Sequence, residues 1–570
     1  MKAPRAVHGP HPLAAWGLWL AVAGAPLVYS NAFIARFTLP KLAVLSLGVL
    51  LSLIGFALSK GPLRSPVPAP VGWALFGSFA ALGLSAAASQ DRLLSLLGRY
   101  DSYAYGFWPL ALCAAVLLAC AALPERRREQ TLRVCLSTGA LIALFAILEG
   151  LGMGLLPGIG ALPAGRRAVS TLGSPVDLGA YLATLLPLAL REALDGKSRP
   201  LGWGFLLAVS GGLLATASRG AWLGGAAGCA VFLLLAGRLK RLQAPALAAG
   251  GLLLAAALGL SALKLSSRST SASDAQRPLI LRAAWQSFLQ HPWLGTGPDT
   301  FEQEFRRRRS EEYIRLMGSH RFQANAHNAL FQALSTTGAV GTAALLALLA
   351  ALFRAAPVGA ALAGGLSGLL LALMFNLASL EVLVTAAALA GLLCPIDEKD
   401  QRPAAPRVLL LLAVLLAALS AAGALRFAQA DRLMKSGKQK AAAGSAEPAA
   451  QLYRKGISLN PCELSYHILF VNQLSERVNA APTLPLRTEL LAEGAALPSL
   501  ACHPNDVNAR YIRGIALYLQ AQLGRPELLP EAAKALDAAL ELDPHFAPLL
   551  QSRLEVAKRL DARTSPDPRP

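Results

Sequence analysis

The residue with the clearest chemical potential is a histidine at the start of an apolar segment. His327 directly precedes that segment, and Asn328 beside it is a good helix N-cap. The positive end of a helix dipole disfavours a protonated imidazole, so a neutral His327 would be available to take a proton from a hydroxyl group. On residue type alone, a histidine that only caps or packs the helix is the alternative.

Three arginines are candidates for binding phosphate groups. Arg219 lies in TASRGAWLGG between two apolar segments, where a guanidinium is costly unless it meets an anion or a wet cavity. Arg277 and Arg282 lie on RPLILRAAWQSFLQ, a predicted amphipathic helix between Asp274 and Pro292. Five residues separate them, so their directions differ by about 140° and we expect them not to face one target. Guanidinium groups bind phosphate in a bidentate manner without a metal. The alternative for Arg219 is that its side chain reaches the phosphates of membrane lipids. The alternative for Arg277 and Arg282 is that they lie on a solvated helix face.

The sequence lacks the common motifs of metal and nucleotide chemistry. The sequence has no GxxxxGK[ST] phosphate loop, no HExxH and no Asp-x-Asp pair, and its eight histidines lack ligand spacing. We therefore expect no metal and no other cofactor. The run Arg306 to Arg309, followed by Glu311 and Glu312, is typical of a solvated helical face.

Composition predicts the scaffold that positions these residues. The chain has 570 residues, of which 54% are hydrophobic and 15% charged. Apolar runs long enough to cross a bilayer recur along most of its length, which predicts an all-α polytopic membrane protein with about 12–13 transmembrane helices. The predicted limits are 13–34, 41–59, 70–88, 104–123, 132–152, 176–192, 201–217, 220–236, 244–264, 328–353, 356–375, 378–394 and 407–426. The two spans between 356 and 394 are alternatively one span plus a re-entrant piece.

Arginine and lysine residues in the loops predict the orientation. They concentrate on the side of the N-terminus, which the positive-inside rule places in the cytoplasm. The long polar loop 265–327 and everything after Phe427 then lie on the other side, in the periplasm of a bacterium, and the protein lies in the inner membrane. The net charge of +20 would suggest nucleic acid in a soluble protein, but here much of it orients helices, so we expect no nucleic-acid partner.

The polar C-terminal part, 428–562, predicts helical repeats. Three Ala/Leu-rich stretches end at Pro461, Pro504 and Pro544, as in tetratricopeptide-type helical hairpins, although their spacing exceeds the usual ~34 residues. Residues 563–570 are predicted to be a disordered tail.

Two cysteines in this region have two open interpretations. Cys462 and Cys502 lie next to two of the repeat-ending prolines. In an oxidising periplasm they would form a disulfide that joins neighbouring repeats. The alternative is two unpaired small residues.

Together these motifs resemble the O-antigen ligase / O-antigen polymerase superfamily over a core of about 165–355. TLGSPVDLGAYLATLLPLAL is similar to a family stretch before an apolar span, but Ser174 and Val176 stand where asparagines are usual. Early segments (PKLAVLSLG, SLLGRYDSYAYG) resemble the branch with C-terminal tetratricopeptide-like repeats. The most specific pattern is Arg277, His291-Pro292, Gly295, Gly297, His327-Asn328, Gly338 and Gly341.

The resemblance implies a GT-C-type membrane glycosyltransferase in residues 1–427. Such proteins transfer a glycan from an undecaprenyl-diphosphate carrier at the periplasmic face, without a metal. It implies that Arg219 and Arg277 contact the diphosphate and that His327 acts on the acceptor hydroxyl, whereas Arg282 lies outside the matched position and ranks lower. The structural motif positions are Asn328, Gly295, Gly297 and Gly338.

The acceptor stays open. An O-antigen ligase passes glycan to a lipid A–core sugar, which is the first choice. A polymerase passes it to another carrier-linked unit, and a protein O-oligosaccharyltransferase passes it to Ser or Thr. From other classes, a lipid-linked glycan flippase or transporter and an envelope scaffold are the alternatives. The repeats favour an extended acceptor or an envelope protein as partner, besides the membrane lipids.

Overall fold

The computed structural model describes residues 10–59, 66–154, 156, 167–238, 272–354, 359–394, 407–480, 483, 492 and 499–564. Within these ranges the fold is helical without strands, and it confirms the predicted all-α class.

The apolar part of the chain folds into a bundle of helices. Twelve of the predicted spans coincide with helices, and the thirteenth, 244–264, lies outside the described residues. Residues 359–394 form two helices joined by a turn. The helices are α1 (Pro12–Leu27), α2 (Leu39–Ala57), α3 (Ala69–Ala87), α4 (Arg92–Leu97), α5 (Phe107–Ala121), α6 (Glu125–Gly150), α7 (Pro175–Asp195), α8 (Arg199–Ala215), α9 (Arg219–Leu235), α10 (Ala272–Gln290), α11 (Phe301–Arg308), α12 (Glu311–Met317), α13 (Ala329–Phe353), α14 (Ala360–Ala372), α15 (Leu380–Leu393) and α16 (Arg407–Ala442).

Length and apolar composition make this a polytopic membrane protein. In the described part of the chain, α2, α3, α6, α13 and α16 are long and apolar enough to cross a membrane. Shorter apolar helices (α1, α5, α9, α14 and α15) accompany them.

Close helix contacts fix the start of α9, where Arg219 lies. A Cβ on Gly224 would approach the Gly368 carbonyl oxygen of α14 to 2.4 Å, and one on Gly228 would approach the Gly364 oxygen to 2.6 Å. Small residues let membrane helices approach this closely. The close contacts at Gly224 and Gly228 therefore fix the position of α9 relative to α14.

A buried ion pair connects two other helices of the bundle. The Lys41 ammonium on α2 lies 2.6 Å from a carboxylate oxygen of Glu381 on α15, and both side chains are almost fully buried. A single buried charge would be costly in this environment, so each residue depends on the other.

The C-terminal part consists of further helices packed in sequence. α17 packs between α16 and α18, and α21 packs between α20 and α22. α16 is continuous to Ala442, so the predicted domain boundary at 427/428 falls inside one helix. Helical pairs are present as expected, and their assignment to the tetratricopeptide class stays a prediction. These helices are α17 (Ala446–Leu459), α18 (Leu464–Ala480), α19 (Ser499–Cys502), α20 (Val507–Gln522), α21 (Leu529–Leu542) and α22 (Ala547–Thr564).

A disulfide joins Cys462 and Cys502, with their Cα atoms 5.4 Å apart. It connects the turn after α17 to α19 and settles the choice left open by the sequence. Residues 565–570, most of the predicted disordered tail, lie outside the described part of the chain.

The helices after α16, which we call the repeat domain, dock on the membrane bundle beside this disulfide. His503 Nδ1 lies 2.8 Å from a carboxylate oxygen of Asp91, and its Nε2 lies 2.9 Å from the Cys462 carbonyl oxygen. The Asn505 side chain donates a hydrogen bond to the Gln90 carbonyl oxygen at 2.9 Å. Because one of the two acceptors around His503 is the Asp91 carboxylate, this contact favours the imidazolium.

This contact predicts a stability that depends on pH. Burial opposes the charged form, but the Asp91 carboxylate and the Cys462 carbonyl raise the pKa of His503 to about 8. Because folding raises this pKa, the stability that His503 contributes to the folded protein is complete below the ordinary histidine pKa of about 6.5. It is lost as pH rises through about 8. Between pH 7 and pH 9 we expect the free energy of unfolding to fall by roughly 1–2 kcal/mol. The melting temperature in detergent should fall over the same pH range.

His503→Gln should remove most of that pH dependence. His320→Gln, at an exposed histidine of the loop before α13, is the matched control and should retain it. An unchanged pH dependence in His503→Gln would show that the interdomain contact is not its source.

Candidate functional site

The motif glycines build the junction that positions the start of α13. At Gly338 this helix is interrupted, with φ 65° and ψ −167°. The segment 292–297 inserts there: Ala339 N–H donates to the Pro292 oxygen at 2.7 Å, and Gly297 N–H donates to the Thr336 oxygen at 2.9 Å. Gly295, at φ 67°, approaches Thr336 so closely that a Cβ would lie 2.3 Å from its carbonyl carbon. The motif residues between His291 and Gly297 thus contact the motif glycine at Gly338 directly.

Gly338→Ala is expected to disrupt this junction. The backbone conformation is one that only glycine adopts readily, and a Cβ would lie 2.4 Å from the Trp293 oxygen. We expect a loss of roughly 2–4 kcal/mol in stability and a clearly lower melting temperature in detergent. Gly77→Ala is the control, because Gly77 lies within helix α3 with open space around its Cβ position, and the exchange should not lower the melting temperature. Equal melting temperatures for the two variants would contradict this assignment.

His327 is held between two amide side chains. Its Nδ1 lies 3.2 Å from Asn376 Oδ1, and its Nε2 lies 3.1 Å from Gln323 Oε1. The backbone of His327 is left-handed, with φ 52°, a strained conformation for a residue with a side chain. The Asn325 side chain accepts the His327 N–H at 3.0 Å. This half-buried imidazole is therefore fixed in orientation from both sides.

The environment keeps this imidazole neutral. Burial lowers the pKa of His327 below 6.5, the Arg277 guanidinium lowers it further, and the hydrogen bond to Asn376 opposes them. Because the Asn376 amide donates to the Leu377 oxygen at 3.0 Å, its own oxygen faces the ring and accepts from Nδ1–H. The lone pair of the neutral ring then lies on Nε2, toward Gln323. A half-turn of the Gln323 amide, together with one of the Gln276 amide, would let Gln323 donate to that lone pair and let its oxygen accept from Gln276 and from the Tyr313 hydroxyl, so that the same contacts are kept. The group is a proton acceptor at neutral pH.

Of the two arginines predicted on α10, Arg277 is the one whose charge reaches His327. The Gln276 side chain beside it accepts a hydrogen bond from Gln323 at 3.0 Å, which ties this helix to the imidazole. Arg277 and Arg282 are both exposed on this helix, and only Arg277 contributes to the lowered pKa of His327.

Arg219 starts α9 and has a second guanidinium as its neighbour. Arg167 Nε donates to the Thr216 oxygen at 2.9 Å, and Ala168 N–H donates to the Ala215 oxygen at 3.1 Å. Burial lowers the pKa of Arg167, and the positive charge of Arg219 lowers it further. Two cations held this close attract an anion such as a diphosphate more strongly than either does alone. No motif marks Arg167 in the sequence; the only available signal was its position next to Arg166.

One turn, 373–376, brings the start of α9 and the histidine into the same region. A Cβ on Gly220 would lie 2.9 Å from the Cβ of Phe375, next to Asn376. On the other side, the Asn328 amide donates to the Met374 oxygen at 3.0 Å, while its oxygen caps α13 by accepting from Leu330 and Phe331. The predicted N-cap role of Asn328 is confirmed. Gln323 and Asn376 had no motif to mark them.

Ser174 fills the position where the family pattern has asparagine and still caps its helix. Its Oγ accepts the Asp177 N–H at 3.4 Å, at the start of α7. Asp177 in turn accepts the Ser379 N–H at 3.1 Å. The departure from the pattern therefore keeps the local capping interaction.

The run Arg306 to Arg309 is not a solvated face, and that expectation is wrong. Arg306 and Arg309 are only 3% and 2% exposed. Each of the four pairs with a carboxylate: Glu302 pairs with Arg306, Glu304 pairs with both Arg307 and Arg308, and Asp543 of the repeat domain pairs with Arg309. The sequence pattern failed because the repeat domain covers this helix.

A cavity of about 320 Å³ lies between the repeat domain and the membrane bundle. Its lining includes Asp91, Arg99, Glu302, Glu463 and Phe322, and it does not include His327. The candidate site around the His327 imidazole is therefore separate from this cavity. Among the described residues, no cluster of three or more His, Cys, Asp or Glu side chains could hold a metal.

The bundle is that of a multi-pass membrane protein, and a family comparison suggests a glycosyltransferase-like membrane enzyme. Residues 204–346 match the family model described as O-Antigen ligase. This segment contains Arg219, Arg277 and His327, and the match supports the O-antigen ligase superfamily to which the motifs pointed. No curated protein matches the chain.

Proposed function

We propose that this protein transfers a glycan from an undecaprenyl-diphosphate carrier to an acceptor hydroxyl at the periplasmic face of the bacterial inner membrane. The observation that carries the proposal is the oriented, neutral imidazole of His327, with the Arg277 charge acting on it and the Arg167–Arg219 pair at a helix start linked to the same turn. The O-Antigen ligase match over 204–346 supports the same chemistry.

The proposed reaction is a single displacement at the anomeric carbon. The acceptor oxygen forms the new glycosidic bond as its proton passes to Nε2 of His327. The bond between the anomeric carbon and the diphosphate oxygen breaks, and undecaprenyl diphosphate leaves as an anion. A single displacement inverts the anomeric centre. The imidazolium then releases its proton to solvent.

Arginines are proposed to stabilise the leaving diphosphate. Arg219 and Arg277 are the primary ligands, and Arg167 adds a neighbouring guanidinium. Arg282, the less certain ligand predicted from the sequence, is exposed and is not assigned this role. Preorganised cations aimed at developing charge supply the stabilisation that a metal supplies in other transferases. We therefore expect transfer without a metal.

For the acceptor, we propose a sugar of lipid A–core, which makes the protein an O-antigen ligase. A carrier-linked repeat unit as acceptor would make it a polymerase, and a Ser or Thr side chain would make it a protein O-oligosaccharyltransferase. The repeat domain lies against the loop that carries the site and offers a surface for an extended acceptor or an envelope protein.

Deletion of the gene, followed by complementation, tests the proposal. Loss of lipopolysaccharide O-antigen banding, with secreted polysaccharide and glycoproteins unchanged, is the result expected of a ligase. Loss of long chains alone would indicate a polymerase, and loss of glycoproteins alone would indicate a protein transferase.

Two other classes make different predictions. A flippase needs ionisable groups in the bundle that are free to change partners, but Glu381 is bound to Lys41 at 2.6 Å. An envelope scaffold would use the repeat domain and would leave His327 dispensable. Complementation with a His327 variant separates that class from an enzyme.

A further inference from the structure

The repeat domain reaches the loop that carries the candidate site through one carboxylate. Asp543 lies directly after α21 and is fully buried. Its Oδ1 lies 2.7 Å from Nη2 of Arg309, and its Oδ2 lies 3.6 Å from Nη1 of Arg306. Since the Asp543 and Arg309 side chains are completely buried, neither charge has water as an alternative partner.

Arg309 passes this contact on to the segment before His327. Its Nη1 donates to the Arg321 carbonyl oxygen at 2.7 Å, while Nη2 binds Asp543. Only a guanidinium can hold a carboxylate and a backbone carbonyl at the same time from two fixed nitrogens. The segment 318–327 has no regular secondary structure, so contacts of this kind determine its position.

Gln323, two residues further on, is the side chain that holds the imidazole. Its Oε1 lies 3.1 Å from His327 Nε2, and its Nε2 lies 3.0 Å from both Gln276 Oε1 and Tyr313 Oη. Tyr313 is fully buried and packs edge-on against Phe305, with ring centroids 4.9 Å apart. A continuous set of contacts therefore runs from the repeat domain to the nitrogen that would accept the proton.

We propose that Asp543 is a positioning residue of the transfer reaction and that the repeat domain completes the site by holding the segment 318–327 through Arg309. This inference rests on the proposed function, in which His327 accepts the proton of the acceptor hydroxyl. Asp543 touches neither donor nor acceptor in this role. Its removal displaces Gln323 and misorients the imidazole, which lowers the rate of the chemical step more than it weakens substrate binding.

The test measures kcat and the KM for the lipid-linked donor in full-length protein. Asp543→Asn is expected to lower kcat about tenfold or more with KM changed less than about threefold. Arg309→Lys keeps the charge pair but cannot also hold the Arg321 carbonyl, so it should show the same split. The double variant Arg309→Lys with Gln323→Ala should lower kcat no more than the more severe single variant does, because both residues act through one set of contacts.

Asp537→Asn is the matched control. Asp537 lies in the same repeat domain and pairs with Arg553 at 2.5 Å on an exposed face, so its loss should leave kcat unchanged. If Asp543→Asn does not fold, Arg309→Lys decides the question. A wild-type kcat in folded Arg309→Lys, or in folded Asp543→Asn, would overturn the positioning role. Absence of transfer by the wild-type protein would instead overturn the proposed function.

Discussion

Replacement of His327 by alanine is expected to abolish glycan transfer, with a loss of about 10²–10⁴-fold or more, while the protein still inserts and folds. In the proposed reaction the imidazole takes the proton from the attacking hydroxyl, and its two ring nitrogens lie against Asn376 and Gln323. Its environment keeps it neutral at pH 7, so the variant loses a working base rather than a charged anchor.

The measurement is O-antigen attachment in a deletion strain complemented with each variant, with membrane levels of the protein quantified alongside. His320→Ala is the matched control, since His320 is an exposed histidine in the same loop and should retain full activity. For the wild-type enzyme, the rate should decline on acidification only through a pKa below 6.5, because protonation removes the base. Full activity in His327→Ala would exclude its catalytic role.

Arg219→Lys is expected to lower kcat/KM by about 10²-fold or more, although the positive charge is kept. Lysine presents a single charged nitrogen, whereas the planar guanidinium binds two phosphate oxygens in parallel. Arg219 begins α9 beside Arg167, so the guanidinium of Arg167 adds to the attraction for an anion at this position.

Arg282→Lys is the control for this substitution. Arg282 is exposed on α10 and outside the matched motif position, so the exchange should change kcat/KM less than about threefold. Both variants should be compared as purified proteins with the same lipid-linked donor. If Arg219→Lys has the activity of Arg282→Lys, the bidentate contact to the diphosphate is not part of the reaction.

Local sequence signals predicted the scaffold well. Apolar runs of bilayer length gave twelve helices in the described part of the chain, since each depends mainly on its own composition. The motif glycines and Asn328 were also marked by sequence. The structure adds the reason: Gly295 and Gly338 allow a loop to enter a break in α13.

Contacts between distant parts of the chain were beyond the reach of local patterns. Arg309 belongs to a run that has the composition of a solvated face, but its partner, Asp543, is 234 residues away. The same holds for Asn376, which is 49 residues from His327 and carries no motif. Polar residues buried by a second domain look exposed to any analysis of single segments. The functional roles of His327, Arg219 and Arg277 stay predictions.

The most direct test of the central claim uses purified protein in lipid nanodiscs, with an undecaprenyl-diphosphate-linked glycan as donor and a chelator present. Lipid A–core and a second carrier-linked unit are offered as acceptors, and released undecaprenyl diphosphate is counted against new glycosidic bonds. We predict one carrier released for each bond formed, inversion at the anomeric centre, and no product with His327→Ala. Donor binding or movement across the bilayer without any new glycosidic bond would contradict the account.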